Sequence, residues 1–515
     1  MENVSVIDDE DKIFPIRYDE NEDVDLELTY DNGAFHLIGS EGYVVFTNKN
    51  CLLKSENGYY IKYEDDIISF NEEEYEMIIA AFLIQLTLIQ FLNSWYRKGV
   101  PLILDWFRLT IFNSLVFNYF KYADKIDQKI TWLFGGITLD QNKVLITLFV
   151  IFVGLLALKI SDILFLIIKS KRKIDNDIDK ESFYFIKRKF LFYLLGGIVF
   201  FGQLTLVSSG VTGYGNESGA KVSDYSFLLI VFDQLAIFYL IVLGFMKFKY
   251  NKNSSFITFF YYLFLAVSII TGLLSGMKET TIIPLICFLI AYLFNHAQLP
   301  LRNTLIAMFL LIFLYPLNDN YRNILNNFPS LDKKEAMLIA VADTFNDDLS
   351  SIFNEGKEKF SDRLSLYPVL QYSVEHENEW TYYRNMDRYF YLPISFLPRG
   401  ILKDKPKSDT GMLYSKLISG DDKNSQTATT FGWAYMEGGI IYVFFTFMLL
   451  GIFVNIIQFY FNKNNLLSIF LYSSLLISFL KVEADSYFLI SGFIQTIIIF
   501  VFSYNFFIKK KISKN

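Results

Sequence analysis

From Met77 onward the chain is built of apolar runs of about 20 residues separated by short polar loops, the length a helix needs to cross a hydrocarbon core of about 30 Å. The runs fall at 76–95, 143–168, 190–208, 225–246, 256–274, 280–296, 303–317, 439–461, 465–481 and 486–506. Read as helices, they predict an all-α polytopic membrane protein with about 10–11 transmembrane helices. The first 75 residues follow another pattern. After an acidic start, "GAFHLIGSEGYVVFTNKNCLLKSENGYYIKYEDDIISF" alternates apolar and polar residues between turns rich in Gly and Asn. Such alternation predicts short antiparallel strands, a small β-rich N-terminal domain that needs another surface to pack on.

Segment 101–120 is apolar as well, but Asp105 and Arg108 lie near its start. Each costs about 2.5–3.5 kcal/mol in lipid, so an interfacial or re-entrant placement is expected. On that count "KSKRKIDNDIDKESFYFIKRK", "KFKYNK", Arg302 and the terminal "KKKISK" share one side, and the excess of basic residues identifies it as the cytoplasm. Both termini are then cytoplasmic, since the acidic N-terminal segment lacks the basic and apolar regions of a signal peptide. Counting 101–120 as a crossing exports that segment instead. The expected organisation is a soluble domain at 1–75, transmembrane helices at 76–317, a large external loop at 318–437, and transmembrane helices with a basic tail at 438–515.

Composition agrees with a membrane class: 53% of residues are hydrophobic and 18% aromatic. The net charge of −7 is concentrated as acid in the first 75 residues. Two cysteines, Cys51 and Cys287, and three histidines argue against a disulfide framework or a structural metal. No metal, cofactor or nucleic-acid partner is expected, and no Walker loop, dinucleotide fingerprint or His-Glu zinc motif is present. The "DNDID" at 175–179 reads as a charge-balanced linker, not a metal cluster. Asp233, within an apolar run, is a functional candidate by its depth or, with Gln234, a helix-packing contact.

The external region holds the chemistry. Arg322, Arg363, Arg384, Arg388 and Arg399 lie where basic residues are normally depleted near membrane segments, although long loops escape that rule and solvated or paired arginines need no ligand. Arg384 and Arg388 stand at helical i, i+4 spacing among aromatics. A guanidinium fork there suits bidentate phosphate recognition. Pro393, Pro398 and Pro406 cut the stretch around "FLPRGILKDKPKSDTG" into stiff pieces.

"LPRGILKDKPKSDTG" followed by "SQTATTFGWAYMEGGIIYVFFTFMLLG", with Gly451 inside the last helix, resembles the bacterial O-antigen, or oligosaccharide repeat unit, polymerases of the Wzy type. The sharp part covers about 393–451, and the rest of the bundle agrees in hydropathy alone. "TGLLSGMKETTIIPLICFLIAYL" is family-like too, with Lys278 where members often carry arginine. The resemblance implies glycosyl transfer on the outer face of the inner membrane, from an undecaprenyl-diphosphate-linked oligosaccharide to the non-reducing sugar of another. It implies a flippase and a chain-length regulator as partners beside membrane lipid. Cations for the departing diphosphate would be Arg399 and Lys405, then Arg384, Arg388 and Lys278. Candidates for the base are Glu437, His376 and Glu279, with macrodipole or ion-pair roles as the plain alternatives for the two glutamates. A lipid-linked oligosaccharide flippase, a glycan ligase and a scaffold of an assembly complex are the competing readings.

Overall fold

The computed structural model describes residues 72–512 except 99–101, 123–138, 171–181, 210–212, 214–218, 251–254, 297–315, 329–330, 347–348, 378–390, 396, 398–410, 412–413, 417–426, 460–464 and 481. Before residue 72 it describes backbone strand segments only, among them Ala34–Gly39 paired antiparallel with Gly42–Phe46 and Gly58–Tyr63 paired with Asp66–Phe70. Their side chains lie outside the described residues. These segments alone do not establish the β-rich domain expected over 1–75.

The rest is helical. α1 (Glu72–Ile84) passes through a π-turn (Gln85–Ile89) into α2 (Gln90–Lys98), and α3 (Ile103–Ile111) through a second π-turn (Phe112–Val116) into α4 (Phe117–Tyr122). Then come α5 (Val144–Ser170), α6 (Lys189–Ser208), α7 (Gly219–Tyr250), α8 (Ser255–Leu274) and α9 (Lys278–His296). A helix at 316–327 (α10) precedes α11 (Lys333–Asn346), α12 (Leu349–Leu364) and α13 (Tyr367–Glu375). The chain closes with α14 (Thr429–Phe459), α15 (Leu466–Phe479) and α16 (Ser486–Phe507).

Seven helices among the described residues are long and apolar enough to cross a membrane: Tyr75–Tyr96, Gln141–Ile167, Lys189–Ser208, Leu229–Lys249, Ser255–Leu274, Thr429–Phe459 and Ser486–Phe507. Two shorter apolar helices, Glu279–Asn295 and Leu466–Phe479, accompany them. The chain is thus an all-α polytopic membrane protein. The expected run at 303–317 falls mostly outside the described residues.

Aromatic rings fill the bundle. Phe200 stacks on Phe264 at 4.4 Å, and Phe238 sits 5.1 Å from Phe470, joining α6 to α8 and α7 to α15. Gly451 on α14 lies so close to Ser161 on α5 that a Cβ would overlap it. Small residues permit such approach between helices when no water drives them together.

Segment 101–120 departs from its expected interfacial placement. α3–α4 is packed inside the bundle, with Asp105 and Arg108 at 3% and 2% exposure. At one end Leu104 N donates to Gln458 Oε1 at 3.4 Å; at the other, Leu366 N donates to Ser114 O at 2.9 Å and Ser365 Oγ to Asn118 Oδ1 at 2.5 Å. It therefore joins Gln458 of α14 to the chain just before α13. The cost of its charges is met by pairing: Arg108 bridges Asp105 at 3.4 Å and Asp162 of α5 at 2.5 Å. Asn455 Nδ2 donates to Asp162 at 2.8 Å, and Ser94 Oγ donates to Asp105.

The two ends of the bundle differ in charge. At one, the strand Ser182–Ile186 pairs antiparallel with Ile508–Ile512, and exposed Lys187, Arg188, Lys189, Lys509 and Lys510 gather there. At the other end stand α10, α13 and the start of α14.

Candidate functional site

α14 is broken. Gly438 (φ −177°, ψ 27°) and Gly439 (φ 70°, ψ −159°) leave helical geometry in its middle, and the left-handed φ of Gly439 favours a residue without a Cβ. The piece before the break is anchored: Thr430 donates from N to Val482 O at 2.8 Å and from Oγ1 to Ala484 O at 2.7 Å. Thr429 Oγ1 accepts from Gly432 N at 3.1 Å, the side-chain cap expected of Thr at a helix start.

Glu437 ends that first piece, buried at 5% exposure. An apolar run opening at 439 would put Glu437 at the mouth of a helix. It sits instead inside the protein, between two helical pieces, and precedes the N-terminus of the second. Across the break, Tyr435 Oη donates to Glu377 Oε2 at 2.8 Å, and Glu377 Oε1 lies 4.0 Å from the Cβ position of Gly439.

His376 and Glu375 adjoin Glu377 at the end of α13. The His376 ring stacks on Tyr372 at 3.9 Å, with Nδ1 3.0 Å from Tyr372 O. Glu375 Oε1 accepts from Asp140 N at 2.7 Å and Gln371 Nε2 at 2.9 Å. Burial pushes the Glu375 carboxyl above its usual range, and these two donors only partly offset the shift. His376 and Glu437 thus belong to one neighbourhood.

Glu279 is elsewhere. In the first turn of α9 it lines an open cavity of about 420 Å³ bordered by α6, α7, α8, α9, α15 and α16. Asp233 and Gln234 of α7 line the same cavity, which answers the question of their role only in part: Gln203 Nε2 donates to Asp233 Oδ1 at 2.6 Å, and Thr496 Oγ1 to Gln234 Oε1 at 2.8 Å. Both are helix-packing contacts and cavity wall at once.

Two cations approach the turn between α8 and α9. Arg322 Nε donates to Gly276 O at 2.8 Å beside Tyr321 Oη, which donates to Leu274 O at 2.9 Å. Lys333, at 7% exposure, has its Nζ 3.2 Å from the Cβ position of Gly213, a cavity-lining residue. Burial lowers the Lys333 pKa. Sequence reasoning missed Lys333 because "DKKEAM" looks like a solvated charge cluster. No local signal marks it, since its neighbour Gly213 lies far away in the chain.

The predicted diphosphate cations Arg399, Lys405, Arg384 and Arg388 lie outside the described residues, as do the side chains of Lys278 and Arg363. No protein-family model, no curated protein and no solved structure matches this chain.

Proposed function

We propose that this chain is a membrane glycosyltransferase of the polymerase type, joining undecaprenyl-diphosphate-linked oligosaccharide repeat units on the outer face of a bacterial plasma membrane. The observation that carries the reading is Glu437, a buried carboxylate beside the Gly438–Gly439 break at the end of the bundle opposite the basic strand pair. A general base has to be positioned and shielded from water close to the hydroxyl it deprotonates. Broken helices at membrane depth are tolerated where they border a cavity or protein interior, so the break also suits a substrate approaching from the bilayer.

The excess of Lys and Arg assigns the basic end to the cytoplasm and the end carrying α10 and α13 to the outside. The loop cations Arg399, Lys405, Arg384, Arg388 and Lys278 are proposed to hold the departing diphosphate, Glu437 to act as base, and His376 to assist it. A flippase and a chain-length regulator are the proposed partners, and residues 1–75 form a β-rich unit. If α3–α4 is a crossing, the two termini lie on opposite sides of the membrane; if it is re-entrant, both are cytoplasmic.

A second reading, a lipid-linked oligosaccharide transporter, is favoured by one observation: the carboxylate of Asp233 lines a cavity between helices in a bundle that also contains a broken helix.

The test is the length distribution of surface glycan in a host lacking this gene, complemented with the wild-type chain or with Glu437→Gln at matched expression. Wild type restoring a ladder, with the variant leaving single repeat units, is the expected result. If wild type changes only whether glycan reaches the surface at all, the transporter reading replaces the polymerase.

A further inference from the structure

The cavity between α6, α7, α8, α9, α15 and α16 is not absorbed by the Glu437 site, and its walls specify what it accepts. At about 420 Å³ it falls within the range of small-molecule pockets, about 300–1,000 Å³. It is far too roomy for a dehydrated cation, whose oxygen ligands must close to about 2.3–2.6 Å. An anion is disfavoured as well, because two carboxylates, Asp233 and Glu279, line it. The remaining polar wall is amide and hydroxyl, with Gln203, Gln234, Ser474 and Thr496 among several serines and threonines.

A wall of carboxylate, amide and hydroxyl oxygens beside apolar helix surface calls for a neutral guest with many O–H donors. We infer that this cavity is a sugar subsite, in which Asp233, held by Gln203 at 2.6 Å, accepts hydrogen bonds from ring hydroxyls and sets which sugar is taken. This rests on the function proposed above and deepens it. The saccharide enters the cavity, while the diphosphate stays at the mouth, near the α8–α9 turn where Arg322 donates to Gly276 O and Lys333 lies under Gly213.

A cavity-lining carboxylate covered by its guest discriminates between sugars, because a guest lacking the hydroxyl leaves that carboxylate without the bond it would otherwise accept. Asp233 is here a binding and specificity residue, not a catalytic one. Its loss is therefore expected in affinity for the sugar and not in affinity for the lipid carrier.

The experiment is titration of the full-length protein in lipid nanodiscs with two probes: the lipid-linked repeat unit extracted from a host lacking this gene, and bare undecaprenyl diphosphate. Wild type should prefer the saccharide-bearing lipid by about tenfold or more, the effect of one or more polar contacts. Asp233→Leu should erase that preference and leave bare undecaprenyl diphosphate bound as before, while Asp233→Asn, which keeps an acceptor oxygen, should retain part of it. Gln203→Leu is the second variant should Asp233→Leu fail to fold, and it should reduce the preference in the same direction. Equal binding of both probes by wild type, or an undiminished preference in both leucine variants, overturns the sugar subsite while leaving the polymerase reading in place. Binding of neither probe overturns the polymerase reading and the subsite with it.

Discussion

Arg108 on α3 and Asp162 on α5 form an ion pair at 2.5 Å, with side-chain exposures of 3% and 20%. Asp105 lies on the other side of the guanidinium, so one cation serves two carboxylates. Removing the cation leaves both carboxylates with their buried partner gone, and breaking a buried pair this way costs about 3–5 kcal/mol. Arg108→Met is expected to lower the unfolding midpoint of the detergent-purified protein sharply. Asp162→Asn should cost much less, because Asp105 still partners Arg108. Equal and small effects of both variants would show that the pair contributes nothing to stability.

That pair also explains which parts of the fold were legible in the sequence. Spans such as 190–208 and 256–274 were readable because an apolar run of helical length is its own signal, and the structure places helices at Lys189–Ser208 and Ser255–Leu274. Asp105 and Arg108 misled because the cost of a charge in lipid says nothing of a partner far along the chain. The start of α14 was missed for a related reason: "TTFGWAYME" has Thr429, Thr430, Gly432 and Glu437 among its nine residues and does not extend an apolar run, yet it is a buried helical piece anchored through Thr430 on Val482 and Ala484. Glu437 could be nominated from sequence, but its burial could not. Asp233, Gln234 and Glu279 could be nominated one by one, but that they share a cavity could not, since its walls come from helices dispersed over the chain.

Gly439 offers a second test. Its φ of 70° is costly for an L residue, by roughly 1–2 kcal/mol, and glycine alone adopts it freely. Gly439→Ala is expected to reduce chain lengthening in the glycan ladder assay while lowering the unfolding midpoint only modestly. The substitution meets open space, with only Glu377 Oε1 at 4.0 Å from the added methyl, so any loss reflects the backbone and not a clash. A variant with a full ladder would show that the geometry of the break does not matter for activity.

Glu437, Glu377 and Glu279 separate by role. As the proposed base, Glu437 should lose about 10²–10⁴-fold in rate as Glu437→Gln, with substrate binding preserved. Glu377→Gln keeps an acceptor for Tyr435 and should cost far less. Glu279→Gln lies in the sugar cavity and is expected to raise KM more than it lowers kcat. These outcomes are read from the initial rate of polymer formation on extracted lipid-linked repeat units. A fully active Glu437→Gln would remove it from the chemistry.

The Glu375 carboxyl is raised by burial, so the fold favours its protonated form. The sign follows: its contribution to stability is full below the ordinary carboxyl value of about 4.3 and is lost as pH rises through the raised one. Thermal melts of wild type across the mildly acidic range should therefore show a stabilising component that disappears on going to neutral pH. Glu375→Gln, which can still accept from Asp140 N and Gln371, should flatten that component. Unchanged pH dependence in the variant would assign it to other groups.

The path of α3–α4 has a consequence for topology that labelling can read. Leu104 meets Gln458 near the end of α14 that leads toward the basic strand pair, whereas Asn118 meets Ser365 at the opposite end. If those ends face the two sides of the membrane, positions 98 and 142 must be on different sides. In a Cys51→Ser background, where the remaining Cys287 is buried, a membrane-impermeant maleimide added to intact cells should label Asn142→Cys and spare Lys98→Cys. Permeabilised cells should label both. Labelling of both in intact cells would return α3–α4 to a re-entrant placement and, with it, the acidic N-terminal segment to the cytoplasm.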